Sequence, residues 1–572
     1  MAWYPGVAFF LAIVAFNVWG EGLRRFLAEG RINLSRLFNK YTGLVAVVAV
    51  VGLVWLLRAT APLGVYQTQA RQFDAEQALE DIRVLASPEF YGRETGTPGA
   101  ALAAEYIAGR MKEIGLDPGG EGNTYTLDVP RSAYHLVEAP HLEILDDRGN
   151  VAEALAYQED FVAYTGPLII SGESEGPVVG LVTGPLPDAS GGDGAVEISL
   201  TDPSGGQHRQ DPYGLRNWDL YDKVVLVREA ELERINIDAT AGALVVSDDP
   251  SSFQRKYLFG FSRGRVPPIM YITPEVADRL LATTGSSLKR LEDLADGLQP
   301  GEIALTGPGA TVHLETVLEE DYRLDFDADW TVVGAEFVTH STIIGYIPGS
   351  GAAMETAPEV DYWAVFSERP ETPLSNQAII VSAYYDGVGL GTDGTLYPGA
   401  NDNASGVGTM LEIARVLKEA PYPPKRTVIF VAWPNGERYE GLSVSDVMNT
   451  QTYLRSLDVE TVIELSGVGA GDGKAIALGQ GSSYRLVQLF QKAAGRLDVS
   501  TTTRGRGPHY GIYTKPGYGG RAALTAYVSW DGSDRTAHTV EDTFEAIDPD
   551  KLEQVGQTTL LALTVLSREM DY

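Results

Sequence analysis

Cysteine is absent from the 572-residue chain, which excludes disulfide bonds, thiolate zinc sites and cysteine nucleophiles together. Positive charge is scarce, because 44 lysines and arginines accompany 77 aspartates and glutamates. The net charge of −33 repels nucleic-acid phosphates, so we expect no DNA or RNA partner. Taken alone, this charge indicates a well-solvated surface.

Apolar residues, by contrast, are plentiful. Hydrophobic side chains make up 44% of the chain and aromatic ones 9%, which is typical of a globular protein and excludes general disorder. The length exceeds that of one ordinary domain and predicts two or three units. Neither internal repeats nor low-complexity tracts are present.

Two long hydrophobic runs stand at the N-terminus, Ala2–Trp19 and Tyr41–Leu57. Each is close to the roughly 17 to 20 residues that cross a bilayer. The segment between them is rich in cations, which predicts a cytoplasmic loop: Arg24, Arg25, Arg31, Arg36 and Lys40. Residues 1–60 are therefore predicted to form a transmembrane helical hairpin in the cell membrane, with the rest of the chain extracytoplasmic. The alternative, a pair of buried core helices, is disfavoured because neither run is amphipathic.

Residues 7–31 read VAFFLAIVAFNVWGEGLRRFLAEGR. This string resembles the last helix and tail of oligopeptide-type ABC transporter permeases. The resemblance implies descent from such a transporter or association with it, so a permease is a candidate partner. It covers no part of the permease core, and transport itself does not follow.

The remaining chain divides by composition into three parts. Residues 66–160 contain two helical patterns around a turn-rich loop. Residues 161–310 hold short β-rich runs separated by Gly, Ser, Asp and Pro, which predicts an inserted small α/β domain. Residues 330–572 alternate compact apolar strands with crossover helices, the pattern of a mixed, mainly parallel sheet flanked by helices. The predicted fold class is α/β.

Polar residues that suit a metal or catalytic site follow several of these strands. Asp402 stands between two asparagines at the start of a helical pattern, so it is a candidate helix cap or a candidate metal ligand. Five stretches share this character: SAYYDG (382–387), PGANDNASG (398–406), FVAWPNGERYEG (430–441), VIELSGVG (462–469) and TAHTVEDT (536–543).

In order and spacing, these stretches together resemble peptidase family M28, the di-zinc aminopeptidases and their glutamate-carboxypeptidase relatives. LASPEFYGRETGTPGA (85–100) is similar to the first segment of that family. DKVVLV (222–227) and AGALVVSDDP (241–250) are similar to the protease-associated domain often inserted in it. The resemblance spans about residues 70–572 and implies a zinc-aminopeptidase-like fold.

The family resemblance implies a site of two zinc ions held by His, a bridging Asp, Glu, Asp and His, with a further Glu as general base. Carboxylates offset the charge of such ions, and the ions acidify the water that the base deprotonates. Asp402 matches the bridging aspartate and His538 the last histidine. Glu437 matches the general base.

Three ligand positions are substituted, by Tyr384, Arg438 and Ser466. Phenol has an unperturbed pKa near 10 and is a poor zinc ligand, and guanidinium cannot coordinate a cation. Asp386, which follows Tyr384, is present beside the ligands rather than among them. We expect no bound cofactor, or zinc if any, and we expect Arg438 to replace the metal charge by pairing with Asp386 or Asp402.

Alternatives remain open for several positions. Glu437 could be a solvated loop carboxylate and His538 a turn histidine. Glu440 could substitute as a ligand and complete a one-metal site with Asp402 and His538. His509 could line the cleft. The other histidines have no ligand spacing: His135, His141, His208, His313 and His340.

Three functions follow. The first is a membrane-anchored extracytoplasmic aminopeptidase-like protein without di-zinc catalysis, which binds a peptide or protein. The second is an active metallo-aminopeptidase with a remodelled one-metal site. The third is an accessory subunit of a peptide ABC transporter.

Overall fold

The structure, a computed structural model, describes most of the chain from residue 62 onward. The described residues are 62–131, 134–136, 138–163, 172–185, 220–232, 237, 240–248, 253, 267–320, 323–326, 332–336, 338–350, 373–391, 393–437, 443–505 and 523–569. Both predicted membrane spans lie outside these ranges. Within the ranges, no helix combines the length and apolar character needed to cross a membrane.

Strands are numbered here in chain order. They are β1 (Asp117–Pro118), β2 (Thr126–Arg131), β3 (Tyr134–Leu136), β4 (His141–Leu145), β5 (Val151–Ala154), β6 (Phe161–Ala163), β7 (Gly172–Thr183), β8 (Val224–Arg228), β9 (Gly242–Val246), β10 (Ile269–Ile272), β11 (Ile303–Leu305), β12 (Thr311–Thr316), β13 (Leu318–Glu320), β14 (Arg323–Phe326), β15 (Val332–Glu336), β16 (Val338–Ile347), β17 (Gln377–Tyr384), β18 (Thr427–Trp433), β19 (Asp458–Leu465), β20 (Ile476–Gly479), β21 (Thr501–Gly505) and β22 (Leu524–Trp530).

Helices are numbered in the same way. They are α1 (Pro62–Ala70), α2 (Ala75–Leu85), α3 (Pro98–Ile114), α4 (Glu229–Leu232), α5 (Pro274–Ala282), α6 (Leu288–Ala295), α7 (Ser405–Glu419), α8 (Val444–Met448), α9 (Thr452–Arg455), α10 (Tyr484–Arg496) and α11 (Pro549–Arg568). A 3₁₀-helix, Pro88–Arg93, lies between α2 and α3.

The main sheet has nine strands in the order β1-β16-β18-β17-β19-β22-β20-β21, with β2 added beside β16. Its central strands β18, β17, β19 and β22 are parallel. All seven residues of β18 are buried, as are seven of the eight in β17, which agrees with the continuous apolar runs of strands covered on both faces. The predicted mixed sheet is confirmed, but it is not mainly parallel: of its described strand pairs, four are parallel and four antiparallel, because most strands added beside the central four pair in the antiparallel direction.

Helices cover the main sheet because their apolar stripes face it. Helices α7 and α11 pack on its central strands and on each other. Helix α11 begins as the sequence predicts, since the Asp548 side chain accepts a hydrogen bond from the amide of Asp550 and Pro549 occupies the first helical position. Helices α8 and α9 contribute Val447 and Leu454 to an apolar cluster on the sheet.

A second nine-stranded sheet has the order β5-β4-β12-β7-β8-β9-β10-β6, with β11 beside β7. Strands β7 to β10 are parallel, and apolar clusters bury both of their faces. The sheet begins at His141 and ends at Thr316, so it extends beyond the predicted insertion 161–310 at both ends. The physical reason is antiparallel pairing: β4 and β12, which flank the insertion in the sequence, pair with each other.

Candidate functional site

The candidate site lies where the parallel strands of the main sheet end. Tyr384 is the last residue of β17, and Ser466 directly follows β19. Glu437 lies in the loop after β18, and His538 lies in the loop after β22. Because the carboxyl ends of parallel strands meet at one edge of a sheet, four stretches that are distant in sequence supply one site.

Asp402, Glu437 and His538 meet at this edge. Nε2 of His538 lies 2.6 Å from Oε2 of Glu437 and 3.5 Å from Oδ2 of Asp402. Both carboxylate side chains are 1% exposed and the imidazole is 9% exposed. One ligand-type atom from each residue lies within 4.8 Å of the others. The imidazole therefore bridges two buried carboxylates, which excludes the interpretation of Glu437 as a solvated loop carboxylate.

Tyr384 and Ser466, at two of the substituted ligand positions, are bonded within the same network. The Tyr384 hydroxyl donates a hydrogen bond to Oδ1 of Asp402 and lies 3.0 Å from the Ser466 hydroxyl. A β-carbon on Gly436 would overlap the Tyr384 ring, so the loop that carries Glu437 can pass the ring only with glycine there. The phenol thus occupies the space between Asp402 and Ser466.

Asn401, the residue before Asp402, is buried and fixes the Asp402 loop to two neighbouring loops. Its Oδ1 accepts hydrogen bonds from the amides of Gly469, at 2.8 Å, and Ala470, at 2.9 Å. Its Nδ2 donates to the carbonyl of Ser533 at 3.2 Å. The first asparagine of the motif therefore joins the loops after β19 and β22.

Asn403, on the other side of Asp402, joins the same loop to the strand ends. Its Nδ2 donates to the carbonyls of Tyr384, at 3.1 Å, and Leu465, at 3.0 Å. Its Oδ1 accepts from the amides of Gly406, at 3.2 Å, and Gly467, at 3.1 Å. Two asparagines flank Asp402 because each satisfies buried backbone groups on both sides of the site.

Asp402 is not a helix cap. Helix α7 begins at Ser405 with Ala404 as its cap residue, and no side chain caps it. The Asp402 carboxylate instead accepts from Tyr384. The helix-cap interpretation of Asp402 is therefore wrong, because the tertiary contact displaces the local one.

A second buried carboxyl, Asp542, supports the Asp402 loop from the segment after His538. It accepts from the amides of Asn401, at 2.7 Å, and Asp402, at 2.9 Å. Burial, and next the negative charge of Asp402, raise the pKa of Asp542 to about 7. Sequence reasoning missed Asp542, although it lies within the TVEDT string that the family resemblance includes.

Asp386 lies beside the site, as expected from the sequence. It accepts from the amides of Gly436, at 2.9 Å, and Glu437, at 3.2 Å, and from the Thr95 hydroxyl at 3.1 Å. Burial, and next the charge of Glu437, raise the pKa of Asp386 to about 7. Its contacts hold the backbone that presents Glu437.

Arg93 is a fully buried cation within this acidic region. Its guanidinium donates to four carbonyls, at 2.5 to 2.9 Å: those of Leu85, Tyr385, Pro398 and Gly399. Burial lowers its pKa to about 10, against the opposing charges of the four site carboxylates. The group remains a cation at neutral pH and ties together the loops that carry Asp386 and Asp402.

The chain reaches this arrangement through an unusual backbone. Tyr91, Gly92 and Arg93 have φ values of 49°, 67° and 56°, and such left-handed conformations are costly for residues other than glycine. Tertiary contacts of Arg93 offset that cost. The sequence offered one signal for this group, because the stretch YGRETGT lies within residues 85–100, for which a family resemblance was noted above; no spacing rule identified the arginine.

Three predicted residues cannot be located, because Arg438, Glu440 and His509 lie outside the described residues. The expected pairing of Arg438 with Asp386 or Asp402 stays a prediction. Among the residues that the structure describes, the cation placed among the site carboxylates is Arg93. The three-residue cluster contains Glu437 rather than Glu440.

These contacts decide how many zinc ions the described side chains could hold. A pair of zinc ions does not fit the described residues, because the hydroxyl groups of Tyr384 and Ser466 bond to each other and Tyr384 also bonds Asp402. A single zinc ion does fit the donor set of Asp402, Glu437 and His538, since three protein ligands and a water suit tetrahedral zinc.

Comparison with known proteins agrees with this geometry. Residues 365–563 match the model of peptidase family M28. Aminopeptidase YwaD of Bacillus subtilis (strain 168) is 28% identical over 206 residues, which cover 34% of this chain and 42% of that protein. The match thus spans less than half the length of this relative.

One solved structure supports the same fold. An aminopeptidase from Aneurinibacillus sp. strain AM-1 superposes with a TM-score of 0.52 at 16% identity, covering 88% of this chain and 97% of that one. A zinc aminopeptidase from Bacillus subtilis gives 0.47 at 16% identity, with coverage of 87% and 97%.

Fold and site together define an aminopeptidase-like α/β protein. The match to the model of peptidase family M28 is confined to residues 365–563, and the similarity to the Bacillus aminopeptidase to 206 residues. Tyr384, Asp386, Asp402, Glu437, Ser466, His538 and Asp542 all lie within the matched segment 365–563, whereas Arg93 and Thr95 lie before it.

Proposed function

We propose that this protein binds peptides at its aminopeptidase-like cleft and does not hydrolyse them by di-zinc catalysis. One observation carries the proposal: the Tyr384 phenol donates a hydrogen bond to Asp402, and Nε2 of His538 lies 3.5 Å from the same carboxylate. These two side chains therefore occupy positions around Asp402 that two zinc ions would otherwise take. Asp402, the retained bridging position, therefore has a protein hydrogen-bond donor where a metal ion would otherwise bind.

A peptide ligand is supported by the charge of the site. Four buried carboxyl groups, Asp386, Asp402, Glu437 and Asp542, accompany Arg93 and His538. As pH rises through about 7, Asp386 and Asp542 ionise, and negative charge exceeds positive charge. Such a site attracts the ammonium group at the N-terminus of a peptide.

Binding of short peptides to the full-length chain in detergent micelles tests this proposal. A tripeptide labelled at its C-terminus should bind with its N-terminus free and lose affinity when that N-terminus is acetylated. Glu437→Gln should weaken binding, whereas Glu541→Gln, at an exposed neighbouring position, should not. Binding should persist in chelator, with no hydrolysis. Equal affinity for free and acetylated peptide would contradict the proposal.

A second candidate, an aminopeptidase with one zinc ion, is favoured by the clustering of Asp402, Glu437 and His538. When bound, zinc acidifies a water molecule. Glu437 as a ligand could not also serve as the general base, so this function requires another base. Chelator-sensitive release of an aminoacyl-anilide product, with one zinc per chain, would establish it over the first candidate.

The proposed setting is the cell membrane, with the peptidase-like domain extracytoplasmic. Support comes from the two apolar runs, 2–19 and 41–57, and from the cationic loop between them. Protease accessibility of the C-terminal domain in intact cells tests the orientation. The permease-like string 7–31 supports a peptide ABC transporter as partner, and co-purification of a permease with the full-length chain tests that association.

A further inference from the structure

A contact between loops of the two large sheets lies next to the candidate site. Nε2 of Gln158, in the loop between β5 and β6 of the second sheet, donates a hydrogen bond of 3.0 Å to the Tyr397 hydroxyl. Tyr397 lies in the loop between β17 and α7, five residues before Asp402. The contact therefore joins the second sheet to the chain segment that carries Asp402.

Gln158 lies in a turn that is fixed to the second sheet. Its amide donates to the carbonyl of Phe161 at 2.8 Å, and the carboxylate of Asp160 accepts from the amide of Ala156 at 3.0 Å. The ring of Tyr157 packs edge-on against the fully buried ring of Phe161, with 5.7 Å between the ring centroids. The Gln158 side chain therefore extends from a turn that the core of the second sheet holds in place.

Gln158 has an unfavourable backbone conformation at this contact. Its φ of 68° is in the left-handed region, which is costly for residues other than glycine. A glycine would adopt the turn without that cost but would lack the amide that reaches Tyr397. Burial, and next the nearby phenol of Tyr397, raise the pKa of Tyr157, which agrees with close packing of the two loops.

Tyr397 is itself closely packed. It is 4% exposed and forms an apolar cluster with Val388. Its amide donates to the carbonyl of Gly389 at 3.1 Å, and a β-carbon added to Gly92 would stand only 2.5 Å from its carbonyl oxygen. The Tyr397 backbone therefore has little room to move while Gln158 holds its hydroxyl.

The segment from Tyr397 to Asp402 is bonded at successive residues. The carbonyls of the two residues after Tyr397 accept from Arg93 at 2.8 and 2.7 Å. The next three amides all donate to Asp542, at 2.7 to 3.0 Å. Because a segment restrained in this way moves as a unit, the position of Tyr397 affects the position of Asp402.

We infer that Gln158 is a positioning residue of the candidate site: through Tyr397, it lets the second sheet hold the Asp402 loop in place. The net contribution of one such hydrogen bond corresponds to a roughly 2- to 10-fold change in an equilibrium constant. Loss of the bond should therefore raise the population of the locally open loop by that factor. Neither a metal ion nor a peptide is needed for this role.

Hydrogen exchange of the full-length chain in detergent micelles, followed by mass spectrometry, tests this role. Tyr397→Phe and Gln158→Leu each remove one partner of the hydrogen bond and approximately keep the size of the side chain. In each variant, the amides of residues 400–402 should exchange roughly 2- to 10-fold faster than in the wild type, whereas those of β18 should keep their rate. The double variant should exchange no faster than either single variant, because both substitutions remove the same bond.

Gln158→Gly separates this role from general stabilisation. Glycine relieves the backbone cost of the turn, so the midpoint of global unfolding should stay close to the wild-type value while the amides of residues 400–402 exchange as fast as in Gln158→Leu. Glu159→Ala, at the exposed next position of the turn, is the control and should keep the wild-type exchange rate. Unchanged exchange in Tyr397→Phe, or additive increases in the double variant, would overturn the inference, whether or not the chain binds peptides.

Discussion

The two large sheets of the molecule share a core of four parallel strands but differ at the carboxyl ends of those strands. In the main sheet, the side chains of Asp402 and Glu437 are 1% exposed, and Nε2 of His538 lies 3.5 Å from the first carboxylate and 2.6 Å from the second. In the second sheet, Arg228 ends β8 and pairs with Asp248 and Glu292, whose side chains are 72% and 53% exposed. The same parallel-strand arrangement therefore carries buried charged groups at the strand ends of the main sheet and solvated charged groups at those of the second sheet.

This difference shows what distinguishes a candidate functional site from an ordinary set of surface charges. Solvated pairs contribute about 0–1 kcal/mol and can be lost without harm. Buried charges persist only when other groups satisfy them. In the main sheet Tyr384 and His538 contact the buried carboxylates, and the loops that carry these carboxylates are held through backbone groups by Arg93, Asn401, Asn403 and Asp542. A parallel sheet alone therefore does not define a site, whereas a set of dedicated buried partners does.

Removal of Arg93 should break the main-sheet arrangement most severely. Arg93→Met removes the guanidinium donor from four carbonyls and the cation from among the site carboxylates, so we expect a loss of about 3–5 kcal/mol in the free energy of unfolding. Denaturant unfolding followed by fluorescence measures it. Arg228→Met in the second sheet should cost less than about 1 kcal/mol, and equal losses for the two variants would contradict the comparison.

Asn403→Ala should have the next largest effect. Four buried hydrogen bonds are lost, two to the ends of β17 and β19 and two to the amides of Gly406 and Gly467, which should cost about 2–4 kcal/mol and loosen the position of Asp402. Thermal unfolding gives the stability, and affinity for a free-N-terminus peptide reports the position. Asn376→Ala, at an exposed position, is the matched control and should change stability by less than about 0.5 kcal/mol.

Glu464, which is buried near the end of β19, should make stability depend on pH. Because its pKa is raised from 4.5 to about 8, the folded chain holds a proton that the unfolded chain releases between these values. This contribution is fully present below about pH 4.5 and is lost as pH rises through about 8. Its slope is at most about 1.4 kcal/mol per pH unit.

A difference measurement isolates that slope. Unfolding of wild type and Glu464→Gln should be compared from pH 5 to 8, because Asp386 and Asp542 also titrate in this window. The wild type should lose stability relative to the variant as pH rises. Parallel curves would show that Glu464 has an ordinary pKa and is not buried as described.

The smallest effect is expected at His313 in the second sheet. Its ring nitrogens lie 3.2 Å from Glu143 and 3.2 Å from Glu173, and although burial opposes it, these glutamates raise the pKa of His313. Its contribution is present below the ordinary histidine pKa and is lost as pH rises through the raised value. His313→Gln should cost under about 1 kcal/mol at pH 5.5 and less at pH 8. A larger loss would contradict the view that the charges of this sheet are solvated.

The sequence predicted the main sheet and the site edge well, because buried parallel strands are continuous apolar runs and their carboxyl ends meet. Asp402, Glu437 and His538 come together as their positions in the motifs predicted. The partners that sustain them could not be predicted: Arg93 and Asp542 act over long sequence separations, and no local pattern encodes such contacts. The cap interpretation of Asp402 failed for the same reason.

Zinc stoichiometry of the purified full-length chain tests the central claim most directly. Elemental analysis after zinc saturation, combined with an aminoacyl-anilide assay with and without chelator, should give at most one zinc per chain and no chelator-sensitive turnover. Two zinc ions per chain together with chelator-sensitive hydrolysis would contradict the account.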